Sequence, residues 1–309
     1  MTSAMARLQI LTALLFCLLP GMAAPQVMTA YLNQLNLIPL QDPYCDLHYP
    51  DQNRPPRWAE ISPHLCPRVT VASIPPATGA ADAWRGVIDW VLIELRETSE
   101  GVGRAATYAS DTVIARKPAF LLSNGRVVDA AAYSRLAAPH PDQCSREAPT
   151  NDRHCPGVWF DRLTPDKDKS LYVVVRHRNH LGVMSASPMV AVGAGDGANG
   201  DRDVAGVGGV YAHDFSTGFD SAYGRAGAQK NWTGSRTDRV YLPVTIMISG
   251  DTNEDGFIQQ TDVSVTAFFN QGLAEYNVAD FNLNGIVQSE DILNYAAQNL
   301  QSRQRFSDF

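Results

Sequence analysis

Two stretches near the end of the chain place oxygen-bearing side chains at alternate positions around a glycine. The first reads Asp251, Asn253, Asp255, Gly256 and Asp262, and the second Asp280, Asn282, Asn284, Gly285 and Asp291. In a tight twelve-residue loop, positions 1, 3, 5 and 12 aim their side chains at one centre. Position 7 adds its backbone carbonyl, and position 9 a side chain or its bound water. Those last two roles fall on Phe257 and Gln259 in loop one, and on Ile286 and Gln288 in loop two. Glycine at position 6 permits a backbone conformation that a Cβ would resist. The ion this chemistry suits is calcium, a hard cation that takes six to eight oxygens at flexible geometry. The other reading is two Asx-rich surface turns without an ion. At average residue usage, however, one such pattern arises by chance in roughly one chain in ten thousand of this length, and here it stands twice.

The loops differ in charge. Loop one presents three ligating carboxylates, Asp251, Asp255 and Asp262, whereas loop two presents Asp280 and Asp291, with asparagine at positions 3 and 5. Fewer anionic ligands mean weaker binding, so two calcium ions are expected, the first held tighter. Ile258 and Val287 occupy position 8, where apolar side chains are expected to pair the loops with each other.

The loops also need a platform beneath them. The preceding sequence reads as strands. Val87 to Arg96 alternates with period two, one face largely apolar throughout. Ala119 to Leu122 and Arg126 to Val128 flank Asn124-Gly125, the strongest short hairpin signal. Leu171 to Met184 is one long run, Met189 to Val192 and Val207 to Tyr211 are shorter, and Leu242, Val244, Ile246 and Ile248 share a face of a last strand. Recurring strands without helical periodicity before Thr261 predict a mainly β fold, an antiparallel β-sandwich ahead of the two loops.

The expected division is 1–24 signal peptide, 25–86 N-terminal segment with a disulfide loop, 87–249 sandwich and 250–303 calcium-binding domain. Only Ser249 and Gly250 separate the last strand from the first ligand. So short a joint cannot act as a flexible tether, and the calcium pair is expected to pack on the sandwich through Val263, Phe268 or Phe269.

The compartment is read from the start of the chain. Arg7 precedes the apolar run Leu8 to Leu19, and Gly21, Ala23 and Ala24 supply small residues for cleavage. The run is about a dozen residues, short of the roughly 20 that span a bilayer, so a secreted protein is expected, with the cell surface as one destination. Phe16 disfavours lipid attachment at Cys17. Removing the signal leaves 309 − 24 = 285 residues with no second long apolar segment. A net charge of −7 argues against nucleic acid, which needs clustered Lys and Arg.

Cys45, Cys66, Cys144 and Cys155 remain, and in an exported chain an even count points to disulfides, with three connectivities open. The sequence-local pairing, Cys45–Cys66 and Cys144–Cys155, would staple two Pro-rich loops, each closure stabilising by roughly 3 kcal/mol. Zinc at His140, Cys144, His154 and Cys155 lacks the CxxC or HxxxH spacing.

Other chemistry is thin. A GxGxxA string at Gly193, Gly195 and Ala198 has no helix after it to receive a phosphate. It lies in a Gly- and Asp-rich stretch that reads as a surface loop, with a loose extra calcium at Asp196, Asp201 and Asp203 as the other reading. The densest polar cluster is Arg176, His177, Arg178, Asn179 and His180. On a continuous strand Arg176, Arg178 and His180 share a face and His177 takes the other, so the histidines are not expected to share a metal. The arginine face is expected to pair with acids of a neighbouring strand such as Glu94, the alternative being a bound carboxylate or sugar acid. With no GxSxG, HExxH or nucleophile beside a base, no enzyme is expected.

The paired loops resemble type I dockerins, which carry Asp at position 12 and start their loops about as far apart as here, 280 − 251 = 29 residues. That resemblance implies a small α domain of two loop–helix units, with helices over 262–270 and 291–302, the second buried through Ile292, Leu293, Ala296 and Leu300, holding two calcium ions and plugging into a cohesin domain of another extracellular protein. The positions that meet cohesin fall on Gln260, Thr261, Ser289 and Glu290, and no Lys-Arg pair follows either loop. A second resemblance covers much of residues 36–224. Leu37 to Leu40 with Pro43-Tyr44, the string VIDWVLIELR at Val87 to Arg96, YVVVRHRNHLGVMS at Tyr172 to Ser185, Asp214-Phe215 and Tyr223-Gly224 look like a module of large exported bacterial surface and adhesin-like proteins. It implies location and architecture rather than chemistry.

Together these readings predict an exported calcium-binding protein that presents a β-sandwich for adhesion or extracellular assembly, its partner a cohesin-like domain or copies of itself. The alternative is an accessory of extracellular polysaccharide degradation that binds or cuts glycan, its aromatic platform drawn from Trp84, Trp90, Trp159 and Trp232.

Overall fold

The computed structural model describes Ile38 and residues 87–107, 112–122, 127–129, 158, 160, 166, 168–191, 211–215, 218–231, 245–267 and 270–306. The expected signal at 1–24, Cys45, Cys66, Cys144 and Cys155, the stretch 193–209, Trp84, Trp159, Trp232, Phe268 and Phe269 lie outside the described residues.

Five strands form one antiparallel sheet: β1 Val87–Thr98, β2 Val113–Leu122, β3 Val127–Asp129, β4 Ser170–His177 and β5 His180–Met184, in the order β3-β2-β1-β4-β5. The sheet curls into a half-barrel, and the described chain is mainly β. β1 is central because both its faces can be covered: every residue from Val87 to Arg96 is buried. On the even face Ile88, Trp90 and Leu92 lead into Glu94 and Arg96, which are covered by their own ion network instead of by water. The hairpin expected around Asn124-Gly125 pairs Ala119 with Asp129, Phe120 with Val128 and Leu121 with Val127.

Two strand expectations are corrected. Leu171 to Met184 is not one strand but two, broken at Arg178 and Asn179, so that His177 of β4 lies opposite His180 of β5. Of the expected last strand, 242–244 lie outside the described residues and the described part is β9, Thr245–Met247, paired with β8, Gln229–Asn231. Ile248 has left it, yet its carbonyl accepts the Leu181 N–H at 2.8 Å. The short runs near 189 and 211 pair as β6 Val190–Ala191 and β7 Tyr211–Ala212.

Helix is sparse. A short helix, Val102–Thr107, follows β1, and helical segments Thr261–Ala267 and Asp291–Ala296 follow the two loops, the latter tightening through Ala297–Asn299. Both segments end earlier than the expected 270 and 302. The second winds widely, with the Ala297 N–H donating to the Ile292 carbonyl, and this shifts the phase of its apolar positions. Ala296 is therefore buried as expected, whereas Leu293 is 63% exposed. No helix among the described residues is long and apolar enough to cross a membrane.

Two apolar clusters cover the sheet. The larger surrounds β1 with Trp90, Ile93, Phe120, Val175 and Phe215. The smaller joins Ala105, Ala106, Tyr172, Val174 and Met184 to Phe306, far along the chain. Tyr172 and Val174 lie directly across from Arg96 and Glu94, so this cluster shares their face.

Candidate metal centre

The two twelve-residue loops fold alike. In loop one the Asp251 carboxylate accepts from the backbone N–H groups of Asp255 (3.1 Å) and Gly256 (3.0 Å). Asp262, at position 12, accepts from Thr252 (3.1 Å), Asn253 (3.2 Å) and Gln259 (2.9 Å). Loop two repeats the pattern. Asp280 accepts from Asn284 (3.1 Å) and Gly285 (2.8 Å), and Asp291 from Phe281 (2.9 Å), Asn282 (3.0 Å) and Gln288 (2.8 Å). At positions 3 and 5, Asn253, Asp255, Asn282 and Asn284 each accept from the amide two residues on. Position 4 is left-handed in both loops, φ 55° at Glu254 and 58° at Leu283, as are Gly256 and Gly285 at position 6.

Wrapping the chain this way buries the acids. Asp262, Asp280 and Asp291 are fully buried and Asp251 nearly so. Burial, with Asp255 and Asp262 beside it, raises the Asp251 carboxyl well above its ordinary range. Burial pushes Asp280 up to about 7, against the pull of Arg178, and pushes Asp291 up to about 6. Burial and neighbouring carboxylates outweigh the positive charge that reaches these acids, Arg178 at Asp280 included, and a bound cation would supply the remainder. Among the described residues no three His, Cys, Asp or Glu side chains converge as a metal group. Each carboxylate is turned onto its own loop's amides, and the rest of such a ligand set consists of Asn side chains and carbonyls, oxygen donors that suit calcium.

The position-8 residues do not pair with each other, contrary to expectation. The Ile258 N–H donates to the Ser302 carbonyl (2.9 Å) and its own carbonyl accepts from Gln301 (2.8 Å). The Val287 N–H donates to Leu273 (3.0 Å) and its carbonyl accepts from Gly272 (2.8 Å). Each loop is clipped to the segment that follows the other loop's helix. Ile258 then packs on Leu181 and Ile248, while Val287 joins Val263, Phe281 and Tyr295 inside the module.

The platform is the turn between β4 and β5. The Asn179 carbonyl accepts the Gly250 N–H at 2.9 Å, and its side-chain amide donates to the Asp280 carbonyl at 2.8 Å. The Arg178 guanidinium lies 4.2 Å from the centre of the Tyr276 ring, and its Nε donates to Asp89 at 2.9 Å. The Tyr276 hydroxyl donates to the other Asp89 oxygen at 2.6 Å. Asn299 adds a hydrogen bond to the Ser249 carbonyl at 2.8 Å, and Leu283 enters the sheet's core. The module therefore packs on the sheet, but not through Val263, which stays within the module, and Phe268 and Phe269 are outside the described residues.

The turn also corrects the expected faces of the polar cluster. His177 and His180 meet, Nδ1 to Nδ1 at 3.1 Å, with ring centres 4.8 Å apart. Asp89 accepts from His177 Nε2 at 3.1 Å. With a neutral His177, its Nδ1 accepts from His180 Nδ1–H, which also faces Asn179 Oδ1 at 2.7 Å. That tautomer follows from the hydrogen-bond network. Burial, then His177 and Arg178, hold His180 well below the ordinary histidine range, hence neutral. Burial alone would raise Asp89, but Arg178, His177 and the Tyr276 hydroxyl outweigh it and hold the carboxyl low.

Arg176 points elsewhere. Glu94 receives Arg96 Nε at 2.6 Å and Arg116 Nε at 2.6 Å, with Arg176 Nη2 at 3.9 Å. Strand geometry explains the convergence. Arg96 is two residues on, Arg116 directly opposite on β2, and Arg176 diagonal on β4. The Phe306 ring caps the group, 5.1 Å from Arg96 and 4.9 Å from Arg176. Burial pulls the Glu94 carboxyl up, but the three arginines prevail and hold it low. The expected pairing of the arginine face with Glu94 therefore holds for Arg176, whereas Arg178 goes to Asp89. Trp90, expected as part of an exposed platform, is fully buried against Phe120, centroids 4.4 Å apart.

Sequence reasoning passed over Asp89, Tyr276 and Phe306. Asp89 carried a signal, because a carboxylate inside a buried strand demands partners, but nothing local names them. Comparison with known proteins brings out no matching family model, no matching curated protein and no matching solved structure.

Proposed function

We propose that the chain is an exported calcium-binding interaction protein, in which a dockerin-like pair of loop–helix units stands on a β-domain of the antiparallel sandwich type. The pair stiffens a surface that meets another extracellular macromolecule, for adhesion or assembly. Asp251, Asn253, Asp255, Asp262, Gln259 and the Phe257 carbonyl would hold one calcium ion. Asp280, Asn282, Asn284, Asp291, Gln288 and the Ile286 carbonyl would hold the other. The observation that carries this reading is the shared conformation of the two loops: two sequences wrap the same amides around buried acids at positions 1 and 12.

Bound calcium offsets the charge that burial leaves uncompensated. The protein's own residues do the remaining work: Asn179 fixes the entry to both loops, and Tyr276 with Arg178 ties the module to Asp89. Calorimetric titration of the chelator-treated protein tests this reading. Two bound calcium ions are expected, and a flat isotherm would refute it. Capture of an extracellular partner with calcium, and its release by EDTA, tests the interaction role.

A further inference from the structure

Four parts of the fold meet in an open groove of about 860 Å³: Ala186 and Ser187 after β5, the segment Asp220 to Arg225, Phe257 of loop one, and the run 303–305 after the second loop's helix. Its volume is that of a small-ligand site. Its charge opposes that of the chain. Arg225, Arg303 and Arg305 against Asp220 give 3 − 1 = +2, on a protein of net charge −7.

The guanidinium groups are not equivalent. Arg225 pairs with exposed Asp220 at 3.1 Å. Arg305 gives Nε to the Gly227 carbonyl at 3.0 Å and lies along bare backbone, since a Cβ at Gly224 or Gly227 would overlap its side chain. Gly224 also has φ 88°. Arg303 has no ion-pair partner among the described residues. Two aromatic rings complete the lining. Tyr223 packs against the smaller apolar cluster, and Phe257 is 47% exposed. Position 7 of a calcium loop uses only its carbonyl, so the loop itself gives the Phe257 ring no task.

Guanidinium forks match planar carboxylates, and aromatic faces give flat apolar support. A uronate unit carries both complements in one ring: a carboxylate at its edge and an apolar C–H face. We propose that this groove binds acidic polysaccharide, with uronate carboxylates on Arg303 and Arg305 and sugar faces on Phe257 and Tyr223. An acidic peptide would use the arginines but leaves the paired rings unexplained.

The assignment rests on the calcium reading, because loop one carries the arginines into place. Phe257 bridges Arg303, the Gln304 N–H donates to the Gly256 carbonyl at 2.7 Å, and the Ile258 N–H donates to the Ser302 carbonyl at 2.9 Å.

The test titrates the full, calcium-loaded protein with trigalacturonate, with maltotriose and with a glutamate-rich peptide. Saturable binding of trigalacturonate alone is expected, weakening about tenfold or more in the double variant Arg303→Ala/Arg305→Ala and also in Phe257→Ala. Absence of saturable binding, equal binding of maltotriose, tighter binding of the peptide, or a double variant within about twofold of the parent would overturn the proposal. A calcium titration without sugar, run on the parent and the double variant, separates the two readings. If calcium binds normally and trigalacturonate does not, the groove assignment alone is wrong. If sugar binds in the absence of any calcium site, the groove stands and the calcium reading falls.

Discussion

The side-chain amide of Asn179 holds the main-chain carbonyl of Asp280 at 2.8 Å, across 101 residues of sequence. The same residue's carbonyl takes the Gly250 N–H, one residue ahead of loop one, so one buried turn of the sheet holds the entry to loop one and the first position of loop two. Asn179→Ala leaves a buried carbonyl without its donor. We expect a loss of about 1–3 kcal/mol in urea unfolding and a calcium affinity that drops more for loop two than for loop one. Equal affinities in variant and parent would show that the contact is incidental.

The loops should be separable. In calorimetry Asp251→Ala is expected to remove the tighter calcium site and Asp280→Ala the weaker, because loop one has three ligating carboxylates and loop two has two. An isotherm unchanged by Asp251→Ala would contradict the ligand assignment.

Coupling between module and sheet should be visible in amide exchange. At a hundredfold calcium excess over the dissociation constant, one coupled site adds about 2.7 kcal/mol to the native state. Thr245 to Met247 and Tyr172 to His177 are then expected to be better protected with calcium than with EDTA. Protection unchanged there, while the loops deprotect, would mean that the two parts are energetically independent.

Glu94 neutralises a buried group of three arginines. Glu94→Gln keeps the shape and removes the charge, and a cost of about 3–5 kcal/mol in denaturant unfolding is expected. Adding Arg176→Met should recover part of it, since the two changes share one network. Strict additivity of the two effects would argue that Arg176, at 3.9 Å, does not feel the carboxylate.

With calcium bound, so that the carboxyls of Asp251, Asp280 and Asp291 stay ionised, acid should weaken the fold in a window set by histidine; in the metal-free protein those raised carboxyls act in the opposite direction. His180 has its native pKa lowered, so its stabilising contribution is present above the unfolded value of about 6.5 and is lost as pH falls below it. Each further unit of acid costs about 1.4 kcal/mol for one such proton. His213, lowered mainly by burial, adds to the same trend. His180→Gln should flatten the dependence between pH 6.5 and 5 without abolishing it. A variant as acid-sensitive as the parent would place the titrating group elsewhere.

The loops and the hairpin were legible in the sequence because each is specified locally, by residues a few positions apart. The alternation of β1 was legible too, but not the burial of both its faces. That burial depends on Arg116 and Arg176 arriving from neighbouring strands to cover Glu94. The turn at Arg178 and Asn179 escaped notice since neither Gly nor Pro marks it, and Asn179 is held by contacts with Gly250 and Asp280 far along the chain. β8, Gln229–Asn231, has no apolar pattern and exists through its partner β9. The shape of the two loops was thus readable from their spacing, while their attachment to the sheet, through Tyr276 and Asp89, was not.

Phe306 seals the Glu94 arginines, and Ser302 completes the clip on Ile258. Both closures come from residues 302 and 306, whereas the residues they close on stand earlier in the sequence. Contacts of such long sequence separation make folding slow. The charged group of the sheet therefore stays open until residues 302–306 join it, and a chain lacking Phe306 is expected to leave the arginines of β1 and β4 without that ring over them.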